Sequence, residues 1–135
     1  MPIDLEIVSP EKLLLSQPVD MVVIPAAEGD MGVLVDHAPF VVLLRGGVVR
    51  LYQGDVVTDR LFVSGGFAEV TPQRVTLLAD EAIPLAEVSR GEAERRLAAA
   101  QAAYDTAGKL DVPEEDAAIA RIQSAQAMLE AAQAA

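Results

Sequence analysis

The sequence contains no cysteine, no tryptophan and a single histidine. Without cysteine the chain can form neither a disulfide bond nor a thiolate nucleophile. One histidine with no cysteine also supplies a zinc site poorly, because protein zinc is held mainly by those two residue types. We therefore expect a protein without a metal centre and without a bound cofactor.

Basic residues and long apolar segments are also scarce. Ten Lys and Arg stand against 21 Asp and Glu, which gives a net charge of -11. Nucleic acids and anionic lipids attract Lys and Arg, so this balance argues against both as direct partners. The longest apolar runs, at 21–27 and 38–44, are far shorter than the ~20 residues of a membrane helix. The amino terminus has no basic start followed by an apolar core, so we expect no signal peptide and a cytoplasmic protein.

The amino-acid composition changes abruptly near Pro84. Residues 1–82 hold 15 of the 17 valines, whereas residues 83–135 hold 17 of the 23 alanines. β-branched residues fit a pleated sheet, and alanine is the best helix former. The order predicts an α+β chain with a β-sandwich domain at 1–84 and a helical domain at 85–135.

Short strands separated by glycine and proline are predicted for the first part. Residues 3–7 alternate apolar and polar side chains, as a half-buried strand does. Gly54-Asp55 has the composition of a two-residue hairpin turn. We expect an antiparallel β-sandwich or flattened barrel of about 8–10 strands. After the first strand, the recognisable ones are residues 19–24, 32–35, 40–44, 48–53, 56–64, 67–71 and 74–79.

Two helices are predicted for the alanine-rich part. Ser89 followed by Glu92 is a capping-box pattern at the start of the first helix, and Gly108 is a usual stop. Asp111 and Pro113 mark the start of the second helix. The short link between them favours an antiparallel hairpin. The apolar positions are Ala93, Leu97, Ala100 and Tyr104 on the first helix and Ile119, Ile122 and Leu129 on the second.

This hairpin carries few large apolar side chains for its length. Their burial has to offset the entropy lost when the helices become ordered, so the attachment of the hairpin to the sandwich is expected to be marginal. A marginal attachment can be displaced by a competing partner. A simply stable alanine-rich hairpin is the equal alternative, and the sequence leaves both open.

No catalytic residue is expected. His37 has no nucleophile-elbow sequence beside it, and a histidine that orders a loop or lies at an interface is the simpler interpretation. Glu28 and Asp30 could form an acid–base pair. Gly29 between them is typical instead of a turn with solvated acids.

Two glycine pairs, Gly46-Gly47 and Gly65-Gly66, interrupt the strand pattern. Neither is followed by Lys and Ser or Thr, so the phosphate-binding loop of nucleotide enzymes is not present. We interpret both pairs as bulges or tight bends between strands, and Gly65 and Gly66 as structural turn residues.

Five sequence motifs follow one another along the chain. They are Ile-Val-Ser-Pro-Glu at 7–11, Glu-Gly-Asp-Met-Gly-Val-Leu at 28–34 with His-Ala-Pro at 37–39, Leu-Arg-Gly-Gly-Val-Val at 44–49, Val-Ser-Gly-Gly-Phe-Ala-Glu-Val at 63–70 and Val-Thr-Leu-Leu-Ala-Asp-Glu-Ala at 75–82. Each motif is weak alone, but their order and spacing together are highly specific. With them, nearly the whole chain resembles the epsilon subunit of F-type ATP synthases.

The resemblance implies a non-catalytic rotor subunit in the central stalk of a proton-translocating ATP synthase. In that family the sandwich binds the gamma subunit and rests on the polar loops of the c ring. The hairpin moves between a folded position and an extended one that reaches the alpha/beta catalytic head and blocks ATP hydrolysis. Such a chain is expected at the cytoplasmic face of the bacterial inner membrane, as a peripheral part of the complex.

The resemblance also implies roles for single residues. Glu28, Gly29 and Asp30 match the loop that faces the c ring, and His37 matches a position near the gamma interface. Some relatives bind ATP through Ile/Leu-Asp-x-x-Arg-Ala at the first helix. Here Ser89 replaces that Asp and Glu92 replaces that Arg. A site that has lost its cation and gained an acid binds a triphosphate poorly, so no nucleotide site is expected.

Two other classes of function remain as alternatives. One is a stand-alone β-sandwich that binds other proteins and oligomerises through its helical tail. The other is a small hydrolase that uses His37, which would require turnover that His37→Ala abolishes.

Overall fold

The computed structural model describes residues 2–134, so Met1 and Ala135, at the outer ends of the two predicted domains, lie outside the described residues. Within that span the chain forms ten strands, a short 3-10 helix at Leu85–Glu87 and two α-helices. The strands are β1 (Ile3–Val8), β2 (Leu13–Val19), β3 (Met21–Ala26), β4 (Gly29–Val33), β5 (Phe40–Leu44), β6 (Gly47–Gln53), β7 (Val56–Val63), β8 (Gly66–Val70), β9 (Arg74–Ala79) and β10 (Ala82–Pro84). The helices are α1 (Arg90–Thr106) and α2 (Val112–Ala134).

The strands are hydrogen-bonded in the order β10-β7-β6-β3-β5-β8-β9-β1-β2, with β4 added beside β3. The described pairings are antiparallel except that of β1 with β9, which is parallel. The predicted α+β fold, a β-sandwich followed by two helices, is confirmed. The parallel pair is a departure from the all-antiparallel prediction. It arises because β1 and β9 are distant in sequence and no hairpin fixes their relative direction.

The main core lies between the inner faces of the strands. In β1, Ile3, Leu5 and Ile7 are fully buried and the residues between them are not. This is the alternation that the sequence predicts, and it turns one face of the strand inwards. The other buried members of the core are Val19, Val22, Ile24, Val33, Leu44, Val49, Leu51, Leu61, Val63, Ala68, Val70, Val75, Leu77 and Ala79.

Two strands are missing from the sequence prediction, β2 and β10, and both lie at the ends of the strand order. They carry Pro18 and Pro84, and edge strands tolerate the loss of a hydrogen-bond donor at proline. The sequence also predicts that β3 stops before Pro25. It instead continues through Pro25, which pairs with Asp30, so that β4 begins at Gly29 rather than at residue 32.

Both α-helices begin where the sequence predicts. The N–H of Glu92 donates to Ser89 Oγ over 3.2 Å at the start of α1. Gly108, with φ of +73°, follows the end of that helix. The N–H of Glu114 donates to Asp111 Oδ1 over 2.8 Å at the start of α2. These side-chain caps satisfy backbone groups that a helix end leaves unpaired.

Candidate functional site

A row of apolar side chains crosses the outer face of five neighbouring strands. Leu43 of β5 lies opposite Phe67 of β8, which lies opposite Leu78 of β9. Leu78 pairs with Val8 of β1, which pairs with Leu13 of β2. We call Leu43, Phe67, Leu78, Val8 and Leu13 the apolar row.

Four members of the apolar row are strongly exposed, and Val8 between them is half-buried. Leu43, Phe67 and Leu78 are 55%, 50% and 45% exposed, and Leu13 is 56% exposed. Val41, two positions before Leu43 on the same face of β5, is 69% exposed. Soluble proteins rarely leave contiguous apolar surface uncovered, and such surface marks interaction sites. The apolar row is therefore a candidate docking surface.

Sequence reasoning did not single out the apolar row. The signal that could have found it is β5 itself, which is apolar at all five of its positions. A strand with one solvated face alternates apolar and polar residues, whereas a strand covered on both faces does not. Val41 and Leu43 lie on the exposed face of β5, and this signal predicts that a partner covers that face as well.

The three predicted c-ring-facing residues lie together at the turn between β3 and β4. Glu28 is exposed at the tip, and Gly29 has φ of +144°, which glycine adopts without strain. Asp30 is held by two arginines: Arg45 Nη2 lies 2.5 Å from its Oδ1 and Arg50 Nη2 lies 3.6 Å from its Oδ2. The turn is thus anchored to the sandwich. Sequence reasoning missed both arginines, because no local pattern links them to Asp30.

His37 lies half-buried in the loop between β4 and β5. Its ring packs on Phe40, with ring centroids 4.9 Å apart and planes inclined by 57°. Its Nδ1–H donates to the Ala38 carbonyl over 2.9 Å. The preceding Asp36 has φ of +66°, and its N–H donates to the Pro72 carbonyl over 2.7 Å. These contacts favour the interpretation of His37 as a loop-ordering residue, and its place at a gamma interface stays a prediction.

Gly65 and Gly66 join β7 to β8 with φ values of +142° and +128°. Residues with a side chain rarely adopt this backbone conformation. A Cβ on Gly66 would clash with the Leu78 carbonyl oxygen and would lie 3.0 Å from Ala79 Cα. The geometry supports the prediction that the pair is structural.

The helical hairpin rests on the sandwich through a second, smaller apolar cluster. Phe62 of β7 is fully buried there, in a cluster with Ala93 of α1 and Met128 and Ala131 of α2. The apolar stripe that the sequence predicts for α2 is half-buried, and three alanines of the same helix are buried more fully. The half-buried residues are Ile119, Ile122 and Leu129, and the buried alanines of α2 are Ala118, Ala125 and Ala131.

Gly46 sets the distance between α2 and the sandwich. A Cβ at this position would lie 2.6 Å from Ser124 Cα, which is closer than real side chains approach a backbone atom. Next to this contact, Ser124 Oγ donates to the Ser64 carbonyl over 3.0 Å. The sequence interpretation of Gly46 as a bulge or bend is therefore incomplete, since the residue also makes room for a helix.

Arg96 of α1 makes a bidentate ion pair with Glu81, the residue that precedes β10. Its Nη1 lies 2.6 Å from Glu81 Oε1 and its Nη2 lies 2.9 Å from Glu81 Oε2. Arg96 Nε also donates to Glu92 Oε1 over 3.1 Å. The hydrogen bonds to Glu81 are the main cause that raises the pKa of Arg96 above its usual value. Such bidentate, charge-assisted pairs are stronger than neutral hydrogen bonds.

A cavity of about 550 Å³ lies between the hairpin and the sandwich, with Arg96 and Arg121 in its lining.

The two residues that depart from the nucleotide motif both make hydrogen bonds within or at the start of α1. Ser89 caps the helix, and Glu92 accepts hydrogen bonds from two arginines of the same helix. The lack of a nucleotide site stays a prediction.

Within residues 2–134, no helix is both long enough and apolar enough to cross a membrane. The same span contains no group of three or more His, Asp or Glu side chains placed to hold a metal ion. The expectation that the protein uses no metal or cofactor stays a prediction.

The sandwich matches a family model described as the beta-sandwich domain of the ATP synthase delta/epsilon chain, over residues 2–85. The ATP synthase epsilon chain of Granulibacter bethesdensis is 66% identical over 128 residues, which cover 95% of each chain. The ATP synthase epsilon chain of Gluconacetobacter diazotrophicus is 54% identical over 132 residues, which cover 98% of this chain and 94% of that one.

Two solved structures share the fold. A chain in the cryo-EM structure of the Euglena gracilis mitochondrial ATP synthase OSCP/F1/c-ring has a TM-score of 0.74 at 28% identity, covering 98% of this chain and 81% of its own. A chain of the Tetrahymena thermophila mitochondrial ATP synthase central stalk and c ring has a TM-score of 0.70 at 14% identity, which speaks for the fold alone. The family model covers more than half of the sequence, and both bacterial relatives align over nearly all of it. The chain therefore belongs to the epsilon-subunit family of the F-type ATP synthases.

Proposed function

We propose that this chain is a non-catalytic rotor subunit in the central stalk of a proton-translocating F-type ATP synthase. It joins the gamma subunit to the c ring, and its hairpin restrains ATP hydrolysis by reaching the alpha/beta catalytic head. Membership of the epsilon-subunit family and the fold shared with a chain of the Euglena gracilis enzyme support the proposal. The observation that carries it is the apolar row, in which four of the five side chains are exposed, as suits a surface for a permanent partner.

The gamma subunit is the proposed occupant of the apolar row. The row lies on paired strands, so its side chains are held in place before a partner arrives, and little ordering entropy opposes binding. Burial of the exposed Leu43 and Phe67 would contribute about 25 cal/mol per Å² of apolar area. His37 packs on Phe40, which lies in the same strand as Leu43 but on its core-facing side.

The turn at 28–30 is the proposed contact with the polar loops of the c ring. Arg45 and Arg50 compensate the charge of Asp30 and hold the turn, while Glu28 stays exposed at its tip. A charged side chain at the rim of an interface steers encounter and sets specificity more than affinity. Glu28 is therefore expected to tune the contact rather than to hold the complex together.

Association with the membrane would run through the c ring. The net charge of -11 disfavours direct contact with anionic lipid, because like charges repel. In this arrangement the chain is a peripheral subunit at the cytoplasmic face of the bacterial inner membrane.

Binding of purified gamma subunit to the isolated chain tests the proposal. Leu43→Ser and Phe67→Ser, introduced singly, should each weaken binding by about tenfold or more, because each removes a central apolar contact. Val56→Ser is the matched control, since Val56 is 65% exposed but lies outside the apolar row. Equal binding by all three variants would contradict the assignment of the row. If the unmodified chain did not bind gamma, the stand-alone binding module would be the better account.

A further inference from the structure

Two specific contacts join the helical hairpin to the sandwich beside the apolar cluster around Phe62 and Met128. One is the close approach of Gly46 to Ser124, and the other is the bidentate pair between Glu81 and Arg96. We propose that these two contacts form one fastening, joined through Ser64, that sets how readily the hairpin leaves the sandwich. We call the four residues and Ser64 the fastening.

Ser64 connects the two contacts through its backbone. Its N–H donates to the Glu81 carbonyl over 3.1 Å, and its carbonyl accepts the hydroxyl of Ser124 over 3.0 Å. Ser64 is thus hydrogen-bonded both to Glu81, which pairs with Arg96 of α1, and directly to Ser124 of α2. Loss of either contact removes a support from the other, so the two are expected to act together.

The fastening acts beside an apolar cluster that also attaches the hairpin to the sandwich. Ala131 is the buried alanine of α2 in that cluster, and it contributes little apolar area. Phe62, Met128 and the half-buried residues around them supply the larger apolar contacts. Removal of a specific contact from such an interface is expected to shift the balance between attached and detached hairpin.

The two halves of the fastening respond to different changes. The Gly46 contact is steric, since an added methyl group would meet the backbone of Ser124 at 2.6 Å and could not be accommodated without moving α2. The Glu81–Arg96 pair is electrostatic, and both side chains are 36% exposed. Salt therefore reaches this pair and weakens it.

The fastening in the isolated chain does not depend on the proposed function. Its effect on ATP hydrolysis does, because only a hairpin that reaches the catalytic head can restrain it. A measurement on the isolated full chain therefore separates the two.

The test is a distance between two spin labels, one on the sandwich and one on α2, measured by pulsed EPR. The chain has no cysteine, so Gln73→Cys and Gln133→Cys, both at exposed positions, place the labels uniquely. In the unmodified chain the two labels should give one distance, that of the attached hairpin. Gly46→Ala should abolish this distance. Gly32→Ala is the matched control, because a Cβ there would lie 3.5 Å from Met21 Sδ, an ordinary contact.

A second variant tests the ion pair. It keeps the proposal testable if Gly46→Ala does not fold. Glu81→Gln keeps the size of the side chain and removes its charge, and it should broaden the distance distribution, as high salt should in the unmodified chain. Glu94→Gln is its control, since Glu94 pairs with Arg90 inside α1 over 3.1 Å. Circular dichroism establishes that each variant is folded.

Distance distributions for Gly46→Ala and Glu81→Gln that match those of their controls would overturn the fastening. If Gly46→Ala does not fold, an unchanged distribution for Glu81→Gln alone overturns it. Detachment in both variants, with unchanged ATP hydrolysis in the reconstituted complex, would support the fastening and refute the regulatory part of the proposed function.

Discussion

Phe67 of β8 lies directly opposite Leu43 of β5, and both side chains are about half exposed on the outer face of the sheet. Their chain neighbours Ala68 and Leu44 face inwards and are buried. The two strands thus carry apolar residues on both faces, which suits a sheet that is covered on both sides in its working state. In the proposed complex, the gamma subunit supplies the second cover.

Gly66→Ala is expected to destabilise the protein by ~1 kcal/mol or more, since it forces a side chain into a left-handed backbone conformation. The new Cβ would also collide with the Leu78 carbonyl oxygen. Urea unfolding measures the change, with Gly32→Ala as the control that should stay close to the unmodified chain. Unchanged stability with lost gamma binding would identify Gly66 as a contact residue instead.

A truncated chain of residues 1–84 is expected to fold alone. The main core cluster draws on residues 3–82, so it survives removal of the helices. Exposure of Phe62, which the helices cover in the full chain, should lower the melting temperature without removing cooperativity. Thermal unfolding followed by circular dichroism should show a single transition. A molten or insoluble fragment would mean that the sandwich and the hairpin form one folding unit.

Glu92 should give α1 a pH-dependent stability. Hydrogen bonds from Arg95 and Arg96 lower the pKa of Glu92 below its ordinary value of 4.5. A carboxyl group whose pKa falls on folding stabilises the folded state above its unfolded pKa and loses that contribution as the pH falls through its folded pKa. The difference in melting temperature between the unmodified chain and Glu92→Gln should therefore be steady at neutral pH and shrink below pH 4.5. A difference that does not vary with pH would contradict this assignment.

Local signals were sufficient to predict the helices and most of the strands. Ser89, Gly108 and Asp111 act on backbone groups within a few residues of themselves, so the sequence displays their effect directly. The alternation from Ile3 to Ile7 is equally local and predicts which face is buried. β2 was not predicted, because its first three residues, which begin at Leu13, are all leucine and show no alternation.

Contacts between distant segments could not be predicted from periodicity or composition. Arg45 holds Asp30, and Ser124 meets Gly46, across long stretches of chain. Sequence patterns show which residues favour a strand or a helix, but not which two elements will meet. The apolar row is a result of this kind, because strand order and register create it from five separate strands.

ATP hydrolysis by the reconstituted catalytic complex, measured with and without this chain, tests the central claim most directly. The full chain should slow hydrolysis, and a chain lacking residues 110–135 should no longer do so while still joining the complex. A chain lacking only residues 130–135 should inhibit nearly as well as the full chain, because its last segment carries no basic side chain for the catalytic head. Hydrolysis that stays unchanged when the full chain is added, or a chain that does not join the complex, would contradict the account.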